Sequence, residues 1–591
     1  MKITQKLRFS LIGKFLKNEI TEERTYLVLT IIAGIVGALI AVSIEHLVEM
    51  LRHLLHTDGT FTWKSFVFGG IAVFISGWIT TRLYPWTAGS SVPSVRIALA
   101  VFHGKIDLKN TIAKYVTTIL SLGAGISLGP EGPIVSIASG AGSFLGTFFS
   151  MSKKRVKALV AVGSAGGIAA AFNTPITAVV FTLEEVVGDL NAKILGSIVI
   201  AAVVASITAQ MITGNSPLFS QLHYKLDDPK ELIFYLGIGL IAAVVGPLWM
   251  KTVIKLREFN KTKMKNHKLT FMMIAFVLVG LMSQIHPGVI GSGHGTIENT
   301  LLSLILDPKV LGTLFILKFV SSAICYSSGI SGGLFLPTLL MGATLGSFVG
   351  AVSSEFFQNA NISAGAYALV GMGAFFAAVI RAPFTSIIMV FELTRDYNII
   401  LPLMIASIVA FVLSSRIEKE SIYELIAEQD GIHLPTREDH ETLEQMVVED
   451  AMVTDLITYN ANLQIKEAYQ MNRGSLISGF PILRNGRVIG MVSRSDINTE
   501  MAKGNGEKTV EQICEKKVIK IYPDQSLLVA FHRLKRFQIS RLPVVSRLDD
   551  KHLIGIITAQ DIIKNFGYQI KEEEKKIDDN LDTMEPPVNP V

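Results

Sequence analysis

The sequence contains little cysteine and, over most of its length, little charge. Its 591 residues include two cysteines, Cys325 and Cys514, which lie in different regions and predict neither a disulfide framework nor a metal site. Charged residues are sparse from about Tyr26 to Ser415 and dense from Arg416 onward, and half of the chain is apolar. This composition excludes a wholly soluble protein and predicts a polytopic membrane region followed by a soluble C-terminal region.

A signal peptide is not evident at the start of the chain, which is basic and amphipathic instead. We predict that residues 1–25 form a cytoplasmic N-terminal helix lying against the membrane. The net charge of +5 is small and lies mainly next to apolar segments, so it does not indicate nucleic-acid binding. Four histidines lack the spacing of metal ligands, and we expect them in loops or at interfaces: His46, His53, His56 and His103.

The apolar region contains two copies of one pattern. At an offset of 208 residues, seven positions between Val162 and Glu184 recur between Val370 and Glu392. Shared glycines and prolines in this pattern argue against chance, and they predict repeat halves at about 30–215 and 231–425. At an offset of 204 residues, six further positions of the first copy recur in the second: Gly129, Pro133, Gly142, Ser143, Phe144 and Gly146 match Gly333, Pro337, Gly346, Ser347, Phe348 and Gly350.

The flanking charges indicate that the two copies face opposite sides of the membrane. The first copy is followed by the basic stretch Lys153–Lys157, whereas the matching stretch after the second, roughly 356–362, carries no positive charge. Because short basic loops stay in the cytoplasm, the first stretch is predicted to lie inside and the second outside. The sequence therefore predicts an inverted-topology repeat.

Three helices are predicted to start inside apolar segments. Glycine and proline interrupt the hydrophobic pattern at 89–93, 129–133 and 333–337, and each proline falls in the first turn of the following helix. A helix that starts at mid-membrane offers unpaired N–H groups and a partial positive charge to an anion. The run from 111 to 150 carries only two charges, Lys114 and Glu131, and a carboxylate between helix-breaking residues indicates a functional site.

The order of these motifs resembles the CLC family of chloride channels and proton/chloride antiporters. Gly-Ser-x-x-Pro, Gly-x-Glu-Gly-Pro and Gly-x-Phe-x-Pro occur in turn, followed by Ser421-Ile422-Tyr423-Glu424, and the resemblance covers a membrane domain that we place at 26–425. It implies a central chloride bound by side-chain hydroxyls and backbone N–H groups. The implied chloride-binding positions are Ser90, Gly132, Leu334, Phe335 and Tyr423.

The same resemblance implies two proton-handling glutamates. Glu131 matches the gating glutamate, which occupies an anion position when ionised and swings away when protonated. Glu185 matches the internal proton-transfer glutamate of the antiporters, which passive channels of the family usually lack. Three residues depart from the family pattern. Pro130 replaces a frequent arginine, which predicts an altered outer anion site. Ser91 replaces a glycine, which leaves anion selectivity open, and Ser94 replaces a frequent glutamate.

Taken one at a time, these residues allow other interpretations. Glu131 could be a structural carboxylate that pairs with Lys114. Glu185 could lie at a solvated helix end, and Tyr423 could be an aromatic anchor at the membrane interface. For Glu392, the repeat mate of Glu184, we expect a structural contact at a helix end or between helices.

The C-terminal region is duplicated too. Phe480-Pro481-Ile482 recurs as Leu542-Pro543-Val544. The pattern resembles a tandem pair of CBS domains, predicted at 447–505 and 509–568, after a linker at 426–446 and before a disordered tail at 569–591. The resemblance implies an adenine nucleotide (ATP, ADP or AMP) between the two domains; the alternative is a docking module that stabilises a dimer. The implied nucleotide contacts are Ser493, Asp496, Thr558 and Asp561.

The predicted fold is an all-α polytopic membrane protein with an inverted-topology repeat and broken helices, plus a cytoplasmic α/β CBS-domain pair. The predicted function is chloride transport by gradient-driven proton/chloride antiport, in a lipid-embedded homodimer of the bacterial inner membrane with both termini cytoplasmic. No phosphate-binding loop of a nucleotide-hydrolysing enzyme occurs, so we predict no enzyme and no required cofactor. The alternatives are a passive voltage- or pH-gated chloride channel and a nucleotide-sensing membrane receptor.

Overall fold

The chain divides into two units, residues 1–434 and 435–591. The structure, a computed structural model, describes residues 19–56, 60–89, 92–100, 102–188, 194–214, 231–356, 364–430, 445–472, 478–516, 518–537, 539–562 and 564–565. Several sequence predictions therefore concern residues outside the described part: the N-terminal segment up to 18, Ser90 and Ser91, most of the stretch 356–362, most of the linker, and the tail 569–591.

Helices make up the first unit. A lipid bilayer offers no water to the backbone, so a spanning segment must satisfy its own hydrogen bonds as a helix. Eight helices in the described part of the chain are long and apolar enough to cross a membrane. The α-helices are Glu19–Leu55, Gly70–Trp78, Val92–Ala100, Leu108–Gly123, Glu131–Phe148, Lys153–Phe172, Pro175–Phe181, Leu195–Thr213, Glu231–Thr262, Lys268–Ser283, His294–Leu301, Pro308–Ser327, Phe335–Phe356, Ala364–Ile380, Pro383–Thr394, Ile400–Ile417 and Ile422–Gln429.

Shorter helical segments extend or connect these helices. The π-helical turns are Ser65–Gly69, Ile79–Leu83 and Thr182–Val187, and the 3-10 turns are Pro85–Thr87, Pro287–Val289 and Tyr397–Ile399. Of the four histidines expected in loops or at interfaces, His46 and His53 lie within the helix Glu19–Leu55 and not in a loop.

The three broken-helix motifs each start a helix, as the sequence predicts. These helices begin at Val92, Glu131 and Phe335, each between the first glycine and the proline of its motif. Glu131 and Phe335 are separated by the same offset of 204 residues as the sequence repeat. The helices of the repeat therefore start in register, and the predicted fold class of the membrane region is confirmed.

Glycine allows the helices of each half to pack closely. A Cβ on Gly142 would fall on the carbonyl oxygen of Leu159, and a Cβ on its repeat mate Gly346 would fall on the carbonyl oxygen of Tyr367. Both halves thus bring two helix backbones into contact at the same repeat position, which explains the shared Gly-Ser-Phe-x-Gly string.

Strands and short helices alternate in the second unit. Strand β1 (Tyr459–Asn460) pairs in parallel with β2 (Gly479–Arg484), which pairs antiparallel with β3 (Arg487–Ser493). Strands β4 (Arg541–Val545) and β5 (Leu553–Thr558) form a second antiparallel pair. Each sheet has its own apolar core. The helices are Val448–Ala451, Ile465–Met471, Arg494–Ala502, Val510–Ile513 and Leu527–Phe537.

Candidate functional site

The two broken-helix motifs of the repeat meet at their glycines. The N–H of Gly129 donates to the carbonyl oxygen of Gly333 at 2.9 Å, and the N–H of Gly333 donates to the carbonyl oxygen of Gly129 at 2.7 Å. A Cβ on Gly129 would collide with Oε2 of Glu131, and a Cβ on Gly333 would lie 2.8 Å from the nitrogen of Gly132. Glycine is therefore required at position 333, where a Cβ would meet backbone, and a Cβ at position 129 would displace the Glu131 carboxylate. The pairing brings the starts of the helices at Glu131 and Phe335 to one place.

Glu131 is a buried acid with an unsatisfied oxygen. Its side chain opens the helix Glu131–Phe148 and is 3% exposed. Among the described residues Oε2 has no hydrogen-bond partner. Leaving a buried charged group without a partner costs free energy, so such a group in a membrane favours a functional role.

Lys114 does not pair with Glu131. Its Nζ donates to the carbonyl oxygens of Thr87 and Gly89, both at 2.7 Å. The interpretation of Glu131 as the structural partner of Lys114 is therefore wrong. Gly89 directly precedes Ser90 in the chain, so the ammonium group fixes the segment that leads into the first broken-helix motif.

A second buried lysine occupies the matching position of the other half. Lys318 follows Lys114 at the repeat offset of 204 residues. Its Nζ donates to the carbonyl oxygen of Gly291 at 2.8 Å and to that of Val289 at 3.3 Å. The Nζ atoms of both lysines thus bind carbonyl oxygens at buried positions.

Leu334 and Phe335 lie at the start of the second broken helix, where the sequence predicts backbone donors. Both residues are buried. The Phe335 ring packs against Phe376 at 4.7 Å, Phe172 at 4.9 Å and Phe181 at 5.6 Å between centroids. The first N–H groups of a helix have no acceptor within that helix. Because the packed Phe335 ring fixes the backbone at the helix start, it also fixes the position of these N–H donors.

Tyr423 lies close to both predicted proton-handling residues. It is 1% exposed, so the interpretation as an interfacial anchor is wrong. Its electrostatic neighbours include Glu185, Tyr326 and Glu131. The structure therefore gathers Tyr423, Glu131 and Glu185 into one region.

Tyr326 belongs to the same region, although it is part of none of the sequence motifs. Its side chain is fully buried near the end of the helix Pro308–Ser327. The hydroxyl oxygen lies 4.0 Å from where a Cβ on Gly89 would stand. Tyr326 is therefore a neighbour of Gly89, the residue that precedes Ser90, and it interacts electrostatically with Tyr423.

Arg96 links Glu185 to Glu424. Its Nη1 donates to Oε1 of Glu185 at 2.9 Å, and its Nη2 donates to Oε1 of Glu424 at 3.1 Å. The side chains of Arg96 and Glu185 are 12% and 5% exposed, so the interpretation of Glu185 as a solvated helix end is wrong. Glu185 lies in the π-helical turn Thr182–Val187, a distortion that often marks functional positions.

Glu424, the second partner of Arg96, directly follows Tyr423 in the helix Ile422–Gln429. Glu424 closes a capping box, since its N–H donates to Oγ of Ser421 at 3.2 Å and its Oε2 accepts from the N–H of Ser421 at 3.0 Å. The sequence analysis missed Arg96, although it is the only charged residue of the helix Val92–Ala100. That isolation within an apolar helix is the signal that could have identified it.

Glu184 and Glu392 each contact the other half of the repeat. Oε2 of Glu184 accepts from the N–H of Thr385 at 2.9 Å and from its Oγ1 at 2.7 Å. Oε2 of Glu392 accepts from the N–H of Thr177 at 2.7 Å and from its Oγ1 at 2.8 Å. The expected interhelix contact of Glu392 is therefore confirmed, and Glu184 makes the equivalent contact.

In the second unit the four predicted nucleotide contacts form two capping boxes. Oδ2 of Asp496 accepts from the N–H of Ser493 at 3.0 Å and from its Oγ at 2.6 Å. Thr558 and Asp561 repeat this arrangement at 2.9 and 2.6 Å. These contacts start the helices after β3 and β5, and they place both hydroxyl–carboxylate pairs at helix N-termini, where anions bind.

Arg541 adds a cation that the sequence analysis did not single out. Its Nη1 donates to the carbonyl oxygen of Gly479 at 2.6 Å, which joins the two halves of the C-terminal duplication. Its buried Nε has no hydrogen-bond partner among the described residues, and Asp561 is its electrostatic neighbour. A phosphate group in this position would meet a donor that the protein leaves unused.

A cavity of about 960 Å³ leads to Glu131. Pro130 and Leu336 line it beside the carboxylate. Proline contributes neither a charge nor a backbone N–H, so the part of the cavity next to Glu131 offers fewer anion donors than an arginine there would. Within the described part of the chain, no group of three metal-ligating side chains stands close enough to hold a metal ion.

Relatives of known name match most of the membrane unit. The H(+)/Cl(-) exchange transporter ClcA of Vibrio cholerae is 28% identical over 446 residues, which cover 72% of this chain and 95% of that protein. The H(+)/Cl(-) exchange transporter ClcA of Salmonella arizonae is 26% identical over 437 residues, covering 70% and 91%. A ClcB-like protein of Ralstonia nicotianae is 32% identical over 343 residues, covering 57% and 79%.

Solved structures share the fold. A eukaryotic CLC transporter superposes with a TM-score of 0.66 at 20% identity, covering 91% of this chain and 98% of that one. A slow cyanobacterial Cl-/H+ antiporter superposes with a TM-score of 0.62 at 24% identity, covering 69% and 98%. The voltage gated chloride channel family matches residues 72–415, and the CBS domain matches residues 448–503 and 510–568. The chain belongs to the voltage gated chloride channel, or CLC, family, and its C-terminal region consists of two CBS domains.

Proposed function

We propose that this protein exchanges chloride for protons across a membrane. The observation that carries the proposal is the position of Glu131, a buried carboxylate where two helices of opposite repeat halves begin. One of its oxygens has no hydrogen-bond partner among the residues that the structure describes. Helix N-termini favour an anion at this place, and either a carboxylate or a chloride ion can satisfy them. Competition between the two anions ties chloride movement to the protonation of Glu131.

The chloride site is assigned to donors that surround this meeting point. The backbone N–H groups of Gly132, Leu334 and Phe335 would face the anion, together with the hydroxyl groups of Tyr423 and Ser90. Four of these residues are buried in the described part of the chain, and Ser90 lies outside it. The two lysines nearby bind carbonyl oxygens, so they bring no carboxylate that would compete with chloride.

The proton route is assigned to Glu185 and Glu131. Protonation of Glu185 would break its hydrogen-bonded ion pair with Arg96, and Glu424 would keep the arginine in place as the remaining partner. This division of one guanidinium between two carboxylates allows one of them to lose its charge while Arg96 stays paired. The names of the Vibrio and Salmonella relatives describe the same exchange of protons and chloride.

A passive chloride channel is the second candidate. It is favoured by one observation: Glu185 already forms a buried ion pair, and breaking a buried pair costs several kcal/mol, about 3–5 when one partner is removed. If that pair never opens, Glu185 cannot carry protons, and the protein would conduct chloride alone.

Flux measurements separate the two candidates. The full chain is reconstituted into vesicles with a chloride gradient and no pH gradient, and proton movement is recorded. Exchange predicts that chloride flowing downhill drives protons uphill, whereas a channel predicts no proton movement at any pH. Glu131→Gln should abolish the proton movement and retain chloride flux, because the amide keeps the size of the side chain and removes the charge.

We also propose that the CBS pair regulates transport by binding an adenine nucleotide. The support is the pair of capping boxes at Ser493 and Thr558 and Nε of Arg541, which has no hydrogen-bond partner in the described part of the chain. Titrating the full chain with ATP, ADP and AMP tests this proposal, and Arg541→Gln should weaken binding. We further propose the domain boundaries predicted from the sequence, a homodimer, and a bacterial inner membrane with both termini in the cytoplasm. We also propose that the protein carries out no enzymatic step.

A further inference from the structure

One face of the helix Glu19–Leu55 carries acidic residues into the cavity that reaches Glu131. The charged and titratable groups lining this cavity besides Glu131 are Glu45, His46, Glu49, Arg52 and His294. An adjoining cavity of about 310 Å³ shares Glu49, Arg52 and His294, and it adds His53, His56 and His286. Residues three and four positions apart share a face of a helix, so Glu45, Glu49 and Arg52 follow one another along the wall.

The cavity lies toward the face opposite the basic stretch Lys153–Lys157. At the start of the helix Glu19–Leu55, Glu23 pairs with Arg155 at 3.5 Å, so this end lies beside the basic stretch. Glu45 follows Glu23 by roughly 33 Å along the helix axis, at about 1.5 Å per residue. If basic loops mark the cytoplasmic side, the cavity opens outward.

Glu45 and Glu49 differ in their partners. Glu49 pairs with Arg52 at 2.5 Å and with His53 at 3.0 Å. None of the ion pairs formed by the described residues includes Glu45, and its electrostatic neighbour is Glu131. Glu45 is thus a carboxylate in the same cavity as the gating glutamate, and no cation is committed to it in the part of the chain that the structure describes.

We propose that Glu45 is a proton-transfer residue, which passes protons between Glu131 and the water of this cavity. The inference rests on the proposed exchange of chloride for protons. In the outward step protonated Glu131 gives its proton to the Glu45 carboxylate, directly or through one water, and the protonated Glu45 then releases it to the cavity. Each step moves one proton from one oxygen to another, so no other reactant is needed.

Three observations support this assignment. Glu131 has a buried oxygen without a partner among the described residues, so a proton on it is not held by a competing acceptor. Two carboxylates in one cavity repel each other when both are charged, so a proton shared between them is favoured. Pro130, which lines the cavity beside Glu131, carries no positive charge that would oppose proton binding there.

Proton and chloride fluxes of the reconstituted full chain test the proposal. Glu45→Gln should lower the proton flux about tenfold, less than the full contribution of about 10²-fold or more that positioned proton-transfer groups can make, because water can still reach Glu131. Chloride flux should stay within about twofold, since Glu45 is not a chloride ligand in this scheme. Glu45→Asp should retain most of the proton flux. Glu49→Gln is the matched control, and it should leave the ratio of the two fluxes unchanged.

Buffer rescue gives a readout that a merely structural role would not move. A cavity of about 960 Å³ admits a small buffer such as imidazole, which can replace the missing carboxylate. Added imidazole should therefore restore proton flux in Glu45→Gln and should leave the wild-type flux unchanged. Should Glu45→Gln not fold, the same restoration is required of Glu45→Ala.

The outcomes distinguish a failure of the proposed chloride/proton exchange from a failure of the proposed role of Glu45. A wild-type protein that moves no protons uphill removes both the proposed exchange and the role of Glu45. A wild-type protein that does so, with an unchanged flux ratio in Glu45→Gln, leaves the exchange standing and removes Glu45 from it. Loss of proton flux that imidazole does not restore also contradicts the proposal.

Discussion

Glu184 and Glu392 make the same contact in opposite directions. Each carboxylate binds the N–H and the hydroxyl of a threonine in the first turn of a helix from the other repeat half, Thr385 for Glu184 and Thr177 for Glu392. The two glutamates are repeat mates, and so are the two threonines. The two repeat halves are therefore joined at two equivalent places by the same type of contact, a carboxylate at a helix N-terminus.

This symmetry predicts equal effects of two substitutions 208 residues apart. Glu184→Ala and Glu392→Ala should each lower the free energy of unfolding by about 1 kcal/mol, the usual cost of losing a helix cap. Thermal unfolding of the purified protein in detergent measures the loss. Glu258→Ala, at an exposed position of the helix Glu231–Thr262, is the control. A large effect in only one of the two variants would show that the contacts are not equivalent.

A side chain at position 129 should displace the Glu131 carboxylate. In Gly129→Ala the added Cβ collides with Oε2 of Glu131, so the carboxylate has to leave its buried position. We expect proton-coupled transport to fall at least about tenfold, because a small misplacement of a reacting group has a large effect on rate. Gly237→Ala provides the matched control, since nothing lies within 4 Å of its added Cβ. Unaltered coupled flux in Gly129→Ala would mean that the observed position of Glu131 is not needed for transport.

Arg96 should be more important for stability than either of its partners alone. Arg96→Met leaves two buried carboxylates without a cation, and breaking a buried pair costs about 3–5 kcal/mol. Glu185→Gln should cost less, since Glu424 continues to pair with Arg96. In the double variant Arg96→Met with Glu185→Gln, one of the two unpaired charges is gone, so part of the stability should return.

A thermal-unfolding cycle of these three variants measures the coupling between Arg96 and Glu185. Proton and chloride fluxes of Glu185→Gln belong to the same experiment, and the proton flux should fall further than the chloride flux. Additive losses in the cycle would show that the two side chains do not interact. Equal loss of both fluxes would indicate a folding defect instead of a proton-transfer role.

The sequence predicts the parts of the site that depend on local signals. Glycine and proline fix the helix starts at Glu131 and Phe335, because few other residues can end one apolar segment and start the next within five positions. The offset of 204 residues also predicts that these starts are equivalent. It does not predict that Gly129 and Gly333 bind each other, since equivalence along the chain says nothing about distance in space.

Side-chain partners that lie far apart in the sequence could not be predicted. Arg96 is separated from Glu185 by 89 residues and from Glu424 by 328. No local pattern selects these partners among the other acidic residues, and the choice depends on how the helices pack. Lys318 was within reach of sequence reasoning, because it repeats Lys114 at the known offset, and buried cations at equivalent positions indicate a shared role.

Asp430 should make the segment that carries Tyr423 sensitive to acid. Nη2 of Arg257 contacts Oδ2 of Asp430 at 2.7 Å, and Nζ of Lys261 contacts Oδ1 at 2.6 Å. Burial opposes ionisation of Asp430, but the hydrogen bonds and charges of Arg257 and Lys261 outweigh it and lower the pKa of this carboxyl. A carboxyl whose pKa is lower in the folded state stabilises the fold above its unfolded pKa, about 3.9 for aspartate, and this contribution is lost as the pH falls through the folded pKa.

Asp430→Asn should therefore lower the unfolding temperature at neutral pH, and the difference from wild type should shrink only below about pH 4. Thermal unfolding in detergent between pH 7 and the acid limit of the protein measures the difference. Glu428→Gln, exposed on the same helical segment, is the control for removing one negative charge. A difference between Asp430→Asn and wild type that stays constant to the lowest pH would contradict the ion pairs. Because these pairs anchor the end of the helix Ile422–Gln429, chloride flux should weaken over the same acidic range in the wild type and should vary less with pH in Asp430→Asn.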